Sequence, residues 1–191
     1  MILNDSRQRA FISLKRILGF YFRMMQRPML YRKLARLMRV TIQMKEATEE
    51  EMREIHRWLS PDIKQNISYN KNVTNLIAKE GTQIIGFVQL VRYFKAVSYY
   101  QGYWLFGLKV RLMYHRMGIG ETLTNNVIKM AREEGALDLS LAVYEDNYEA
   151  IKLYHKLGFK IKLVPGLEEQ FEKEKLLYGR RRIVMNKNLI G

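Results

Sequence analysis

Along residues 40–191, short β-rich apolar runs alternate with stretches whose apolar positions recur every three or four residues. The first kind predicts strands and the second amphipathic helices. Residues 40–45 read as a strand. Thr48-Glu49-Glu50-Glu51 then has the spacing of a capping box, opening a helix with Met52, Ile55 and Leu59 on one face and Ser60-Pro61 at its end. Residues 61–72 are polar, a loop or a second short helix. Residues 73–78 and 83–93 flank Glu80-Gly81-Thr82 as the two runs of a hairpin, and 99–110 is a further strand dense in aromatics. Residues 120–134 have helical spacing through Leu123, Val127, Met130 and Ala131, stopping at Gly135. Residues 137–144 alternate as a strand, and 148–157 form a helix stopped by Gly158. Final strands are expected at 159–164 and 181–189, separated by a charged loop or helix over 166–178. This order predicts an α+β (or α/β) class with a mixed sheet.

Residues 1–39 follow a different rule. Phe11, Leu14, Leu18, Tyr21 and Met25 form an apolar stripe widened by Ile17 and Met24, while Arg9, Arg16 and Arg23 recur on the other side. Pro28 ends or kinks this helix, and a shorter basic segment over 29–39 follows. The expected organisation is a basic amphipathic helical arm over 1–39 and one domain over 40–191.

Composition narrows the chemistry. With 48% hydrophobic residues in 191, the chain can bury one substantial core. The absence of cysteine excludes disulfides, zinc ribbons and thiolate nucleophiles. His56, His115 and His155 are scattered, so spacing assembles no metal site. The net charge of +14 is concentrated in the arm, where ten basic residues meet the single acid Asp5. Such a segment meets something anionic, or packs its apolar face on the body or on a second copy in a homodimer. A phosphate-backbone partner would also need a groove-fitting or stacking motif, and none is found; nucleic acid is not the expected partner. The apolar run at 17–22 falls well short of the roughly 20 residues that span a bilayer, and Lys15, Arg16 and Arg23 interrupt any signal-like stretch. The expectation is a cytoplasmic chain, with peripheral attachment to an anionic membrane surface open to the arm.

The candidate chemistry lies between Leu108 and Phe159. A strand ends near Val110, a tight loop follows, and a helix starts near Gly120. Main-chain amides at such a helix start lack intrahelical partners and carry the positive end of the dipole. Gly118 and Gly120 let an anion approach the backbone, with His115 and Arg116 beside it as phosphate contacts. After the next strand comes Asn147-Tyr148-Glu149-Ala150-Ile151-Lys152-Leu153-Tyr154-His155-Lys156-Leu157-Gly158-Phe159.

Together the two segments resemble the GNAT N-acetyltransferase superfamily. Its hallmarks are a Leu-x-Val strand end, an (Arg/Gln)-x-x-Gly-x-(Gly/Ala) loop and an Asn-x-x-Ala-x-x-Leu-Tyr-x-x-x-Gly-Phe segment, and the spacing from Leu108 to Phe159 matches without a gap. The resemblance implies a splayed mixed sheet flanked by helices, with acetyl-CoA as co-substrate and no metal. Its pantetheine arm would add to the strand at Leu108 and Val110, and its pyrophosphate would sit on the amides of Arg116, Met117, Gly118, Ile119, Gly120 and Glu121. The side chain of Asn147 would bind the pantetheine amides, and Tyr154 would protonate the departing thiolate. By spacing alone, Tyr154 also suits a core aromatic.

The sequence departs from the family pattern twice. His115 stands where Arg or Gln is usual, and the strand over 99–110 lacks the glutamate that many members use as a base. A water chain, Glu145 or Glu51 is left for that role. The run Glu168-Glu169-Gln170-Phe171-Glu172-Lys173-Glu174-Lys175 is locally acidic, so a lid made of it would favour a cationic amine acceptor. Tyr93, Tyr99, Tyr100, Tyr103 and Trp104 line an acceptor pocket or pack in the core. The same features fit an acyl-CoA-binding regulatory or membrane-attached module without efficient catalysis.

Overall fold

The computed structural model describes residues 42–59, 71–94 and 99–190. The arm over 1–39 and the question of a second short helix at 61–70 lie outside the described residues.

Seven strands form one sheet in the order β1-β2-β3-β4-β5-β7-β6. The antiparallel half is β1 (Ile42–Glu46), β2 (Val73–Glu80), β3 (Gln83–Tyr93) and β4 (Gly102–Val110). Beyond it lie β5 (Asp138–Tyr144), the two-residue β6 (Lys160–Ile161) and β7 (Arg182–Asn188). Only β4 and β5 run parallel, joined through α2 (Ile119–Glu133). The other α-helices among the described residues are α1 (Glu49–Trp58), α3 (Tyr148–Lys156) and α4 (Pro165–Tyr178). None of these helices is long and apolar enough to cross a membrane.

Strand alternation sends neighbouring side chains to opposite faces. Leu76, Ala78, Val88, Leu105, Leu141 and Met185 face α2 and α3, burying Leu123, Val127 and Tyr154 with them. Ile77, Ile84 and Phe87 face α1 and cover Met52, Ile55 and Leu59. On that same face Trp104 and Val184 pack against Leu167 and Phe171 of α4. Gly86 lets α2 sit down on β3, because a Cβ there would lie 2.9 Å from Leu123 Cδ1 and 3.1 Å from Ile119 Cγ2.

The expected capping box is formed: Thr48 Oγ1 accepts from the Glu51 amide at 3.3 Å, and Glu51 Oε2 accepts from the Thr48 amide at 3.0 Å. Glu51 also binds Lys79 at 2.6 Å and Lys45 at 2.9 Å. Burial opposes its charge, but the lysines and the Thr48 amide outweigh that and hold its pKa at about 2.

Two strand expectations are corrected. The aromatic strand begins at Gly102, not at 99, because Gly102 takes φ +75° and breaks the extended run. The strand over 159–164 shrinks to Lys160–Ile161, because Pro165 starts α4 and leaves Leu163 exposed.

Candidate active site

β4 and β5 pair at only three positions, Tyr103 with Leu139, Trp104 with Ser140 and Leu105 with Leu141, and then part. A bulge helps to separate them. Phe87 faces Lys109 while Gln89 faces Phe106, so Gly107 and Leu108 together stand against Val88, with Gly107 at φ +64°. The bulge resets alternation: Leu108 and Val110 turn toward α2 and α3, while Phe106 and Lys109 take the opposite face. The Arg111 amide donates to Ile85 O at 2.8 Å, so the amide and carbonyl of Val110 face away from β3, into the gap. A cleft of about 420 Å³ fills that gap, lined by Leu108, Val110, Asn147 and Tyr154 on one side and Phe106, Lys109, Tyr144, Arg180 and Arg182 on the other.

The cleft continues into a second one of about 610 Å³ at the start of α2, the two sharing Leu108, Val110, His115, Asn147 and Ala150. Here the chain turns sharply, with Arg116 at φ +61° and Gly118 at φ +85°. The first α2 amide bonded within the helix is that of Thr122, to Gly118 O at 2.9 Å. Among the described residues, nothing accepts from the amides of Ile119, Gly120 or Glu121, and Gly118 has no side chain to cap them. A Cβ on Gly118 would meet open space. This concave, donor-rich main chain fits a diphosphate.

The loop is anchored before it reaches the cradle. Tyr114 is buried and its hydroxyl donates to Glu80 at 2.5 Å, and Arg111 Nε donates to Ile84 O at 2.5 Å. His115 does something the sequence did not reveal: its Nε2 lies 2.9 Å from Val110 O. A carbonyl only accepts, so that nitrogen carries the proton, and His115 buckles the loop onto the strand end. Arg116 is exposed, 3.6 Å from Glu149 across the cradle mouth. Met117 packs toward the core, Ile119 is buried, and the Glu121 carboxylate is bound by Lys156 at 2.6 Å.

Asn147 caps α3, its Oδ1 accepting from the Ala150 amide at 3.3 Å, so its side-chain amide NH₂ is the group left to donate into the clefts it lines. Tyr154 is 5% exposed, packed edge-on against Phe159 with ring centroids 5.7 Å apart. Burial pushes its hydroxyl well above the ordinary phenol range, so it keeps its proton at neutral pH. Its ring packs in the core, as its spacing suggests, and its side chain also lines the gap.

The acceptor side was poorly anticipated. Glu168 and Glu172 pair with Arg181, Glu174 with Arg182 and Glu169 with Lys173, so the acidic run is spent on ion pairs and offers no open negative lid. Tyr93, Tyr100 and Trp104 pack with Phe106 into a core cluster, and Tyr103 sits on the other face against Phe94. Tyr99 packs on Gly166. Neither candidate base lines the cleft: Glu145 faces Lys175 and Arg181, and Glu51, in the first turn of α1, faces Lys45 and Lys79. The run Arg180-Arg181-Arg182 before the last strand was the overlooked signal. A further cavity of about 540 Å³ lies where β4 and β5 are still paired, and Tyr99, Tyr103 and Trp104 help to line it.

Residues 36–159 match the family model described as acetyltransferase (GNAT) family. The chain belongs to that family. Among relatives of this GNAT chain is the rat N-acetyltransferase family 8 member 2, 31% identical over 84 residues, which are 44% of this chain and 37% of that protein. The matched stretch therefore spans little more than a third of that relative. Similar solved folds include the IAA acetyltransferase from Bacillus cereus (TM-score 0.61, 18% identity, 78% of this chain and 99% of the other). The PaiA N-acetyltransferase from Thermoplasma acidophilum, solved with coenzyme A, is a second (TM-score 0.55, 18% identity, 78% and 99%).

Proposed function

We propose that the protein transfers an acetyl group from acetyl-CoA to a primary amine by direct attack in a ternary complex. One observation carries the proposal: the gap between β4 and β5 opens straight onto the unpaired amides at the start of α2, and a buried, protonated tyrosine lines the gap.

Acetyl-CoA supplies a thioester whose carbonyl an amine can attack. The amides from Arg116 to Glu121 hold its diphosphate, with Gly118 and Gly120 leaving the approach open. The unpaired edge at Leu108 and Val110 takes the pantetheine as an added strand, and Asn147 donates its side-chain NH₂ to it. The Val110 amide, facing the gap, is placed to stabilise charge on the carbonyl oxygen. Tyr154 holds the proton that the departing sulfur needs. No carboxylate among the described residues lines the cleft, so the amine loses its proton to water or arrives neutral. Calorimetric titration with acetyl-CoA, followed by thiol release across an amine panel, tests this reading. Binding without any release favours a regulatory acyl-CoA module, and absence of binding removes both readings.

Residues 40–191 then form the catalytic domain, and 1–39 a basic arm for an anionic membrane surface. Flotation with anionic but not neutral liposomes is expected, and no flotation with either removes the arm's assignment.

A further inference from the structure

We propose that the acceptor is an amine that also bears a carboxylate, of the amino-acid class with an apolar side chain, and that Lys109 receives that carboxylate. The inference rests on the acetyl-transfer reading above and specifies its second substrate.

The far wall of the cleft carries three permanent cations, Lys109, Arg180 and Arg182, and no carboxylate among the described residues. Two of the three are committed. Arg180 binds Asp146 through two donors, at 2.8 and 3.0 Å, and lies 3.8 Å over the Tyr144 ring. Arg182 binds Glu174 through two donors and lies 4.6 Å over the Phe171 ring. Such doubly bonded, stacked guanidiniums are fixed walls.

Lys109 differs from both. Half-buried on β4, its side chain makes no ion pair or hydrogen bond with any other described residue. Its ammonium is therefore the uncompensated charge of the cleft, at a site where partial burial strengthens an ion pair over one in open water. Its position in the chain fixes what it can read. Lys109 adjoins Val110, whose amide faces the gap, but it takes the opposite face of the sheet from Leu108 and Val110. An amine reaching the thioester from that side passes Lys109. In an α-amino acid one carbon separates amine from carboxylate, so a carboxylate on Lys109 holds the amine near Val110. Phe106 and Tyr144 supply an apolar wall for the remaining side chain. A polycation would bring like charge to this wall, which is unfavourable.

The test compares kcat/KM for L-phenylalanine, L-phenylalaninamide, phenethylamine and spermidine in the full chain, alongside the acetyl-CoA Kd by calorimetry. L-Phenylalanine is expected to exceed its amide by about tenfold, the factor expected of one partly buried ion pair. Lys109→Met should erase that preference and Lys109→Glu invert it, with the acetyl-CoA Kd unchanged in both. The inference is overturned if the amide or spermidine is preferred, if Lys109→Met keeps the preference, or if Lys109→Met weakens acetyl-CoA instead. Silence of all four amines with acetyl-CoA bound also overturns it. Failure of acetyl-CoA to bind the natural chain would instead overturn the reading on which it rests.

Discussion

The two ends of the cleft are built from different materials. At the α2 end the chain offers main-chain amides, held in place by a left-handed pair of residues and by the anchors at Tyr114 and His115. At the far end it offers side chains, with Lys109 from β4, Tyr144 from β5 and Arg180 and Arg182 around the start of β7. Main-chain donors suit a diphosphate that never varies, and they depend on backbone conformation more than on side-chain identity. Side chains from three separate segments can be exchanged one at a time, which suits the partner that varies between acetyltransferases.

The sharpest way to break this contrast is to put a side chain into the main-chain end. Gly118→Asp should weaken acetyl-CoA binding by roughly a hundredfold or more, measured by calorimetry. Aspartate is ordinarily a good helix N-cap, but here it would carry its charge into the diphosphate's place, at a φ of +85° that side chains resist. Unchanged affinity would mean that the cradle lies elsewhere.

Tyr154→Phe probes the junction between the two ends. Turnover should fall by about a hundredfold, within the range of general acid catalysis, while the acetyl-CoA Kd stays within a factor of about two. A matched loss in both would reduce Tyr154 to packing.

Glu51→Gln separates a structural carboxylate from a catalytic one. Its native pKa of about 2 lies below the ordinary 4.5, so its contribution is full above about pH 4.5 and fades as pH falls toward 2. The variant should lose about 1 to 2 kcal/mol at pH 7 after solvent screening, read from urea midpoints. The difference from the natural chain should shrink by pH 3. Turnover per folded molecule should not change. A large fall in turnover at unchanged stability would restore Glu51 as a base.

The mildest effect is expected from His115→Ala, which frees the Val110 carbonyl but leaves the amides in place. A roughly threefold loss of acetyl-CoA affinity fits one partly exposed hydrogen bond. A loss as large as that of Gly118→Asp would make the imidazole, and not the backbone, the main grip.

The same contrast explains what was legible in advance. Elements with strong periodicity and local punctuation, such as the Thr48 capping box, the Gly81 hairpin and the helix stopped at Gly135, could be placed to within a residue or two. The donor-rich turn before α2 was legible because glycines at fixed spacing between a strand and a helix mark it. The bulge at Gly107 was not, since a glycine among aromatics reads only as a weak strand position until its partner strand is known. The pairing of the acidic run was not legible for a related reason. Its charges look open along the chain, and only folding brings Arg181 and Arg182 against them. Lys109 was overlooked because nothing in its neighbours shows that all other cations of that wall are already taken.

The union of the two half-sheets is short. Seven rungs tie β5 to β7, but only three tie β4 to β5, and they stand at the end away from the cradle. The molecule resembles a partly fastened zip. A guest lying along the open teeth would share the strain of keeping the halves together, so its arrival should slow amide exchange at Leu105 and Leu141 as well as at the residues it touches.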